Sequence, residues 1–505
     1  MRDGLIHYSG YLAQSVAGFF LIPFLNRNLS NEDYGLWVFA TSAAVFPALF
    51  DFGLFWAVTR SVSQGRSLPT EEARAVSIKF VHNAGRVYGI IGLLGGLGLL
   101  LVSGPLSQSL KLTHIPPRIV FGVFIFTALN FVTEELMAYG SAVLQGLRRF
   151  DLTNIARAFT VIVRSVGIAV VVIHLSNMNS SNGMHAAVIW NLIGGIAGTV
   201  FIAVLIYRVA PEYQISFGVP DWSSLKTQLS FGAASLGVTL LLGIVWNVPP
   251  MLLGFLLGPA AIIPFHLGKS FPNSLSWINY RTAEVLFPSA SESVLTNDSA
   301  TVRRAIESGT RWAVVLMLGP AIVLMTLAPQ IIGLWLGHDA AISAQVLRWM
   351  SAAVLFESLG AASLHVMWGM NKTRPILIVL SGMVVVQLTL AWKLVPLWNA
   401  VGAAIAFFVS MSVGWIIFAM LGARLGGGRF FSFLEHVFTG LLIPAISCAG
   451  VAVALVQVLP SEYGTNVLLS AIAAGLVYLL IFFALGTRPE EKTLIDQLLV
   501  GKFRN

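Results

Sequence analysis

Apolar residues run along this chain in stretches of about 20 or more, separated by short polar turns. A helix needs about 20 such residues to cross a hydrocarbon core of about 30 Å, and the roughly ten-residue alternating segments of an outer-membrane barrel are not the pattern here. The runs predict about 14 membrane helices, over residues 6–25, 35–58, 84–104, 118–145, 154–175, 184–207, 229–257, 261–288, 312–336, 342–368, 376–395, 400–422, 437–459 and 466–486. The fold class is therefore an all-α membrane protein. The fourth run contains two glutamates, and the eighth contains Lys269 and Arg281.

The turns alternate in character. One set holds Arg60, Arg66, Arg74 and Lys79, then Arg148 and Arg149, Arg208 and Lys226, Arg303, Arg304 and Arg311, Lys372 and Arg374, and Arg424 and Arg429. The other holds Arg27, Lys111, Arg118 and Lys393. Basic residues gather on the cytoplasmic side, so both termini, which belong to the basic set, are expected in the cytoplasm, and an even number of spans agrees. The outer turns are short and leave no room for a folded catalytic domain. The 291–304 stretch reads as an amphipathic surface helix.

Composition supports the same class. The chain has 505 residues, of which 56% are hydrophobic and 10% charged, against about 25% charged in soluble domains. The net charge of +8 comes from residues between the spans, so it reads as a topology signal and not as a nucleic-acid surface. The lone cysteine, Cys448, rules out an intramolecular disulfide and reads as a small packing residue. The histidines are scattered, so no metal site, cofactor or catalytic residue is expected. The first 25 residues lack a small-residue cleavage pattern and read as a first span, not a signal.

A weak internal repeat adds organisation. At an offset of 223, Leu144-Gln145-Gly146-Leu147-Arg148-Arg149 falls on Met367-Trp368-Gly369-Met370-Asn371-Lys372, and Glu134 falls on Glu357. This fits an N-terminal six-helix lobe over 1–208, a cytoplasmic linker over 209–228, a C-terminal six-helix lobe over 229–422, two additional helices within 437–486 and a cytoplasmic tail over 487–505. Transporters built from such repeats place their substrate site near the bilayer midplane between the halves.

Several segments resemble bacterial polysaccharide flippases of the multidrug/oligosaccharidyl-lipid/polysaccharide exporter superfamily, the O-antigen flippases among them. They are the stretch from Pro23 through Leu29-Ser30-Asn31-Glu32-Asp33-Tyr34-Gly35-Leu36-Trp37, then Leu49-Phe50-Asp51-Phe52-Gly53-Leu54 with Arg60, and Leu144-Gln145-Gly146. The resemblance implies two six-helix lobes around a central cavity, alternating access, and a cargo of undecaprenyl-diphosphate-linked glycan turned to the outer leaflet of the bacterial inner membrane. It also implies a polysaccharide polymerase or export complex as partner. The first span lacks the arginines typical of the lipid-II branch.

Charges inside spans are costly and mark function or pairing. Arg157 and Arg164 are two helical turns apart on one face of the fifth span. They read as a cationic cavity wall for diphosphate or acidic sugar, or as partners of Glu134 or Glu135. Lys269, with His266 and Asn273, forms a polar stripe that lines a cavity or ties to a neighbouring acid. Arg281 and Glu284 read as a local ion pair. Asp51 is a candidate for H+ or Na+ coupling or a cap, with Arg60 nearby. Glu134 and Glu357 share a repeat position, which favours architecture at least as much as coupling, and Arg348 and Glu357 fall on roughly opposed faces. Pro249, Pro250, Pro264, Pro272 and Pro320 predict kinks.

Three functions compete on these residues: a lipid-linked glycan flippase, a cation-coupled multidrug antiporter of the same build, and a membrane enzyme acting on lipid-linked sugars. Arg164 and Lys269 would repel cationic drugs. No nucleophile–base spacing or phosphate loop favours an enzyme.

Overall fold

The computed structural model describes residues 16–44, 53–67, 71–109, 112, 114–176, 179–214, 218–284, 299–337, 340–459, 464–489 and 491. Among the described residues the fold is helical throughout, without strands. It divides into two compact units, residues 1–266 with 395–399, and residues 267–394 with 400–505.

The first unit is built from α1 (16–28), α2 (Asn31–Ala43), α3 (Leu54–Ser67), α4 (Glu71–Ser109), α5 (Pro117–Gly146), α6 (Phe150–Ser176), α7 (Ser180–Val209) and α8 (Trp222–Leu257). It thus takes in α8, beyond the 209–228 linker expected from the repeat. Its core joins α3, α4, α5 and α7 through Val58, Val81, Tyr88, Tyr139, Val143 and Ile202. Tyr139 donates its hydroxyl to the carbonyl of Tyr213, 2.9 Å away, which satisfies a phenol buried among apolar side chains. Outward faces carry large exposed apolar residues, such as Leu93, Leu97 and Leu101 on α4 and Ile193, Ile196, Val200 and Val204 on α7. In water such faces would be a liability; against lipid tails they are the expected surface.

The chain passes into the second unit within α9 (Ile262–Glu284), after which come α10 (Ser299–Thr326), α11 (Ala328–Leu336), α12 (Ala341–Gly369), α13 (Thr373–Leu425), α14 (Phe430–Phe438), α15 (Leu442–Val458) and α16 (Gly464–Ile481). A π-helical turn, Phe482–Gly486, ends α16. Helix α13 is broken at Trp398 and Asn399, which carry non-helical angles, so it holds two of the expected spans. Helices α14 and α15 meet at a bend of 52°.

Among the described residues nine helices are long and apolar enough to cross a membrane, or ten if the bent pair is one span. The expected fourteen is therefore not reached by that test. Part of the difference is that α13 holds two of the expected runs. The prolines Pro249, Pro250, Pro272 and Pro320 lie inside α8, α9 and α10, which continue through them. Arg311 departs from its expected place in a loop. It sits inside α10 with its side chain 1% exposed.

Candidate functional site

On α6 the exposed apolar residues Ile155, Phe159, Ile162, Val166, Val170 and Ile173 recur every three or four positions and so form one lipid-facing stripe. Arg157 and Arg164 fall on the opposite face, seven residues apart. Arg164 is 19% exposed, and its guanidinium forms an ion pair with Glu134 of α5 at 2.5 Å. The same nitrogen donates to Asn130 Oδ1 at 3.1 Å, while Nε is buried and makes no hydrogen bond. Of the two glutamates considered, Glu134 is the one that Arg164 meets. Its side chain remains 44% exposed, whereas Glu135, one position on, is buried on another face of the helix.

Helix α7 completes the cluster by having no side chains where the others need room. A Cβ at Gly195 would stand 2.7 Å from Arg164 Nη2 and 2.6 Å from Asn130 Oδ1, and one at Gly194 would strike Arg164 Cγ. Thr199 donates to the carbonyls of Thr133, at 3.0 Å, and Gly195, at 2.9 Å. Trp190 donates from its indole to the carbonyl of Val163 at 3.0 Å, fixing α7 against α6. Asn130, Glu134, Arg164 and Gly195 all lie near the middle of their helices, hence near one depth. A paired guanidinium there costs less than a lone charge, and its planar fork donates to phosphate oxygens as readily as to a carboxylate.

In the second unit Lys269 and Asn273 lie four residues apart on one face of α9, both half-buried. His266, one turn earlier on α9, belongs to the first unit, where its ring meets that of Tyr34 edge-on at 6.0 Å. Further along α9, Ser276 and Asn279 are buried beside Glu357 of α12, itself 4% exposed. The carboxylate oxygen Oε2 of Glu357 makes no hydrogen bond. Arg60 is exposed on α3, and Arg157 is half-buried. Asp51 lies outside the described residues, as do the side chains of Arg281 and Glu284.

Three buried charged residues escaped the sequence reading. Asp33, 1% exposed, accepts from the hydroxyls of Ser30, at 2.6 Å, and Ser180, at 2.5 Å. It thus ties the start of α2 to the start of α7, where two helix N-termini favour a negative charge. Ser30-Asn31-Glu32-Asp33 has the spacing of a capping box, and that signal could have marked it. The others are Arg311 and Glu491, which pair with each other. Among the described residues no group of three or more His, Cys, Asp or Glu could hold a metal ion.

With this geometry in place, comparison with known proteins is decisive about family. Residues 1–294, more than half of the chain, match the model of the polysaccharide biosynthesis protein family. The chain belongs to that family. A Shigella flexneri relative named "Putative O-antigen transporter" is 18% identical over 434 residues, covering 84% of this chain and 98% of its own. The structure of the lipid II flippase MurJ in an inward closed conformation superposes with a TM-score of 0.69 at 13% identity, covering 95% of this chain and 99% of that one. An inward-facing multidrug resistance MATE family transporter gives 0.62 at 15% identity, covering 85% and 96%. These likenesses establish the fold. The family member described here is a multi-pass membrane protein.

Proposed function

We propose that the protein is a flippase moving undecaprenyl-diphosphate-linked oligosaccharide or polysaccharide repeat units from the cytoplasmic to the outer leaflet by alternating access. The observation that carries this reading is the paired guanidinium of Arg164 at mid-span, on the face turned away from lipid and still partly exposed. The resting pair with Glu134 keeps the cluster neutral. An arriving diphosphate competes for the fork, and the exposed Glu134 carboxylate is free to yield. Arg157 extends the cationic face by two turns, and Lys269, His266 and Asn273 supply a second polar stripe. Glu357, buried beside neutral groups, and Asp51 are the candidates for H+ or Na+ coupling. The relative's name adds support for a glycan cargo. The membrane is the bacterial inner membrane, with both termini cytoplasmic, and the partner is a polysaccharide polymerase or export complex.

A multidrug antiporter is the second reading, favoured by the fold shared with MATE transporters. Cationic drugs would, however, meet Arg157, Arg164 and Lys269. The two are separated by reconstituting the protein in vesicles with a defined undecaprenyl-diphosphate glycan, and in parallel with an organic cation. Translocation of the glycan lipid, lost in Arg164→Ala at unchanged protein level, is the expected result. Transport of the organic cation alone would overturn it.

A further inference from the structure

Arg311 is a buried charge with five hydrogen bonds, and the transport reading makes no use of it. Its side chain is 1% exposed. It donates to the carbonyls of Val437 at 3.1 Å, Thr439 at 2.8 Å and Gly486 at 2.7 Å. It also forms an ion pair with both oxygens of Glu491, Nε to Oε1 and Nη2 to Oε2. Glu491 in turn accepts from the backbone N–H of Arg488 at 2.9 Å. The guanidinium of Arg488 reaches the carbonyl of His436.

The three carbonyls have a common origin. Val437 and Thr439 are at the end of α14, where the chain bends into α15, and Gly486 ends the π turn after α16. Carbonyls at helix ends have no partner within the helix and carry the negative end of its dipole. Where a broken helix lies in a membrane protein's interior, those groups must be satisfied by something. Transporters use such breaks to hold cations; here the cation is tethered, an arginine side chain. Gly440, with φ of 79°, makes the bend, and a Cβ there would stand 3.0 Å from Gly486 Cα. The two helix ends are therefore in direct backbone contact around one guanidinium.

Along from this node, α15 and α16 rest on α10 through Val323, Leu327, Cys448, Ala452, Ala474 and Tyr478. Tyr478 donates to the carbonyl of Val315 at 2.8 Å. Cys448 is fully buried, with Sγ 4.0 Å from the Gly319 carbonyl. That seam is apolar and would serve as well against lipid. The polar node is what ties it in register.

We propose that Arg311 and Glu491 form a latch, in which Glu491, following α16, closes over the break between α14 and α15 and fixes α15 and α16 to α10. Opening the latch frees the trailing pair while the rest of the second unit stays folded. Arg311 is in this sense a positioning residue, and the proposal is independent of what the protein carries.

Cys448, the chain's single cysteine, is a built-in reporter for it. The full-length protein, purified in detergent, is labelled with a thiol-reactive coumarin maleimide while helix content is followed by far-ultraviolet circular dichroism. Breaking one side of a buried ion pair is strongly destabilising locally. Glu491→Ala should raise the rate of Cys448 labelling at least about tenfold at temperatures where the helix signal is unchanged, and Glu491→Gln, which keeps the shape and an acceptor, should raise it less. Glu307→Gln, which removes the pair with Arg303 on the same helix, should leave the rate as in the wild type. Arg311→Lys, which keeps the charge but loses the fork, gives a second route if Glu491→Ala fails to fold. Wild-type labelling rates in the Glu491 and Arg311 variants, or a rise only in step with loss of helix, would overturn the latch.

Discussion

A guanidinium at bilayer depth persists only when something offsets its charge, and Arg164 shows how few atoms that takes. One carboxylate, one amide oxygen and two glycines on the facing helix suffice. The glycines yield a prediction separable from folding. At Gly195 the atoms crowding a new Cβ are the ends of Thr133, Asn130 and Arg164, which can swing aside. Gly195→Ala should therefore change thermal stability little, since Ala also favours the helix by up to about 1 kcal/mol, yet displace the guanidinium and reduce glycan-lipid translocation at least about tenfold. At Gly167 the added Cβ would strike the Trp190 ring, whose Nε1 is pinned to Val163. Gly167→Ala should lower stability by about 1–3 kcal/mol or more. Equal thermal shifts in the two variants would contradict this division. The sequence already brought Arg164 and Glu134 within reach, because they occupy neighbouring spans. It could not choose between Glu134 and Glu135, which differ by a 100° turn whose outcome depends on where α7 packs.

At the scale of elements, regular spans were legible, as was the break in α13 between residues 395 and 400, but the bend between α14 and α15 was not. Long apolar runs placed α4 to α8, α12 and α16, because twenty apolar residues have few other uses. Arg311 was illegible for the same reason: a basic residue at the edge of an apolar run looks like a loop residue, and its partner Glu491 lies 180 positions away. The pairing gives the node a pH signature. Burial alone would raise the Glu491 carboxyl, but the hydrogen bonds from Arg311 and the Arg488 backbone, with the charges of both arginines, outweigh it and hold the carboxyl below its usual 4.5. A carboxyl depressed in the folded state stabilises above the unfolded value and loses that contribution as pH falls through the folded one. Labelling of Cys448 should be flat from pH 7 to about 4.5, once corrected for the reagent's own pH dependence, and should rise in more acid solution. Glu491→Gln should abolish that rise. An acid response that survives in Glu491→Gln would place the titrating group elsewhere.

For the whole molecule, transport against a gradient needs a group that exchanges a cation as the protein changes state, since a ligand shifts an equilibrium only through differential affinity for the two states. Glu357 has the required isolation: it is buried, it sits beside the neutral Ser276 and Asn279, and one oxygen makes no hydrogen bond. Its repeat counterpart Glu134 is instead exposed and paired. The internal repeat thus located both glutamates, yet their shared position hid a difference in surroundings that only packing creates. If Glu357 carries the coupling proton, Glu357→Gln mimics its loaded form and should abolish the stimulation of glycan-lipid translocation by a pH gradient, leaving residual downhill movement. Proteoliposomes with and without an imposed gradient measure this directly, and a sodium gradient in place of the proton gradient tests the alternative ion. The Arg164→Ala variant should behave differently, losing translocation under every gradient because the cargo itself is no longer held. A Glu357→Gln protein that still responds to the gradient as the wild type does would assign Glu357 to architecture and move the search for coupling to Asp51.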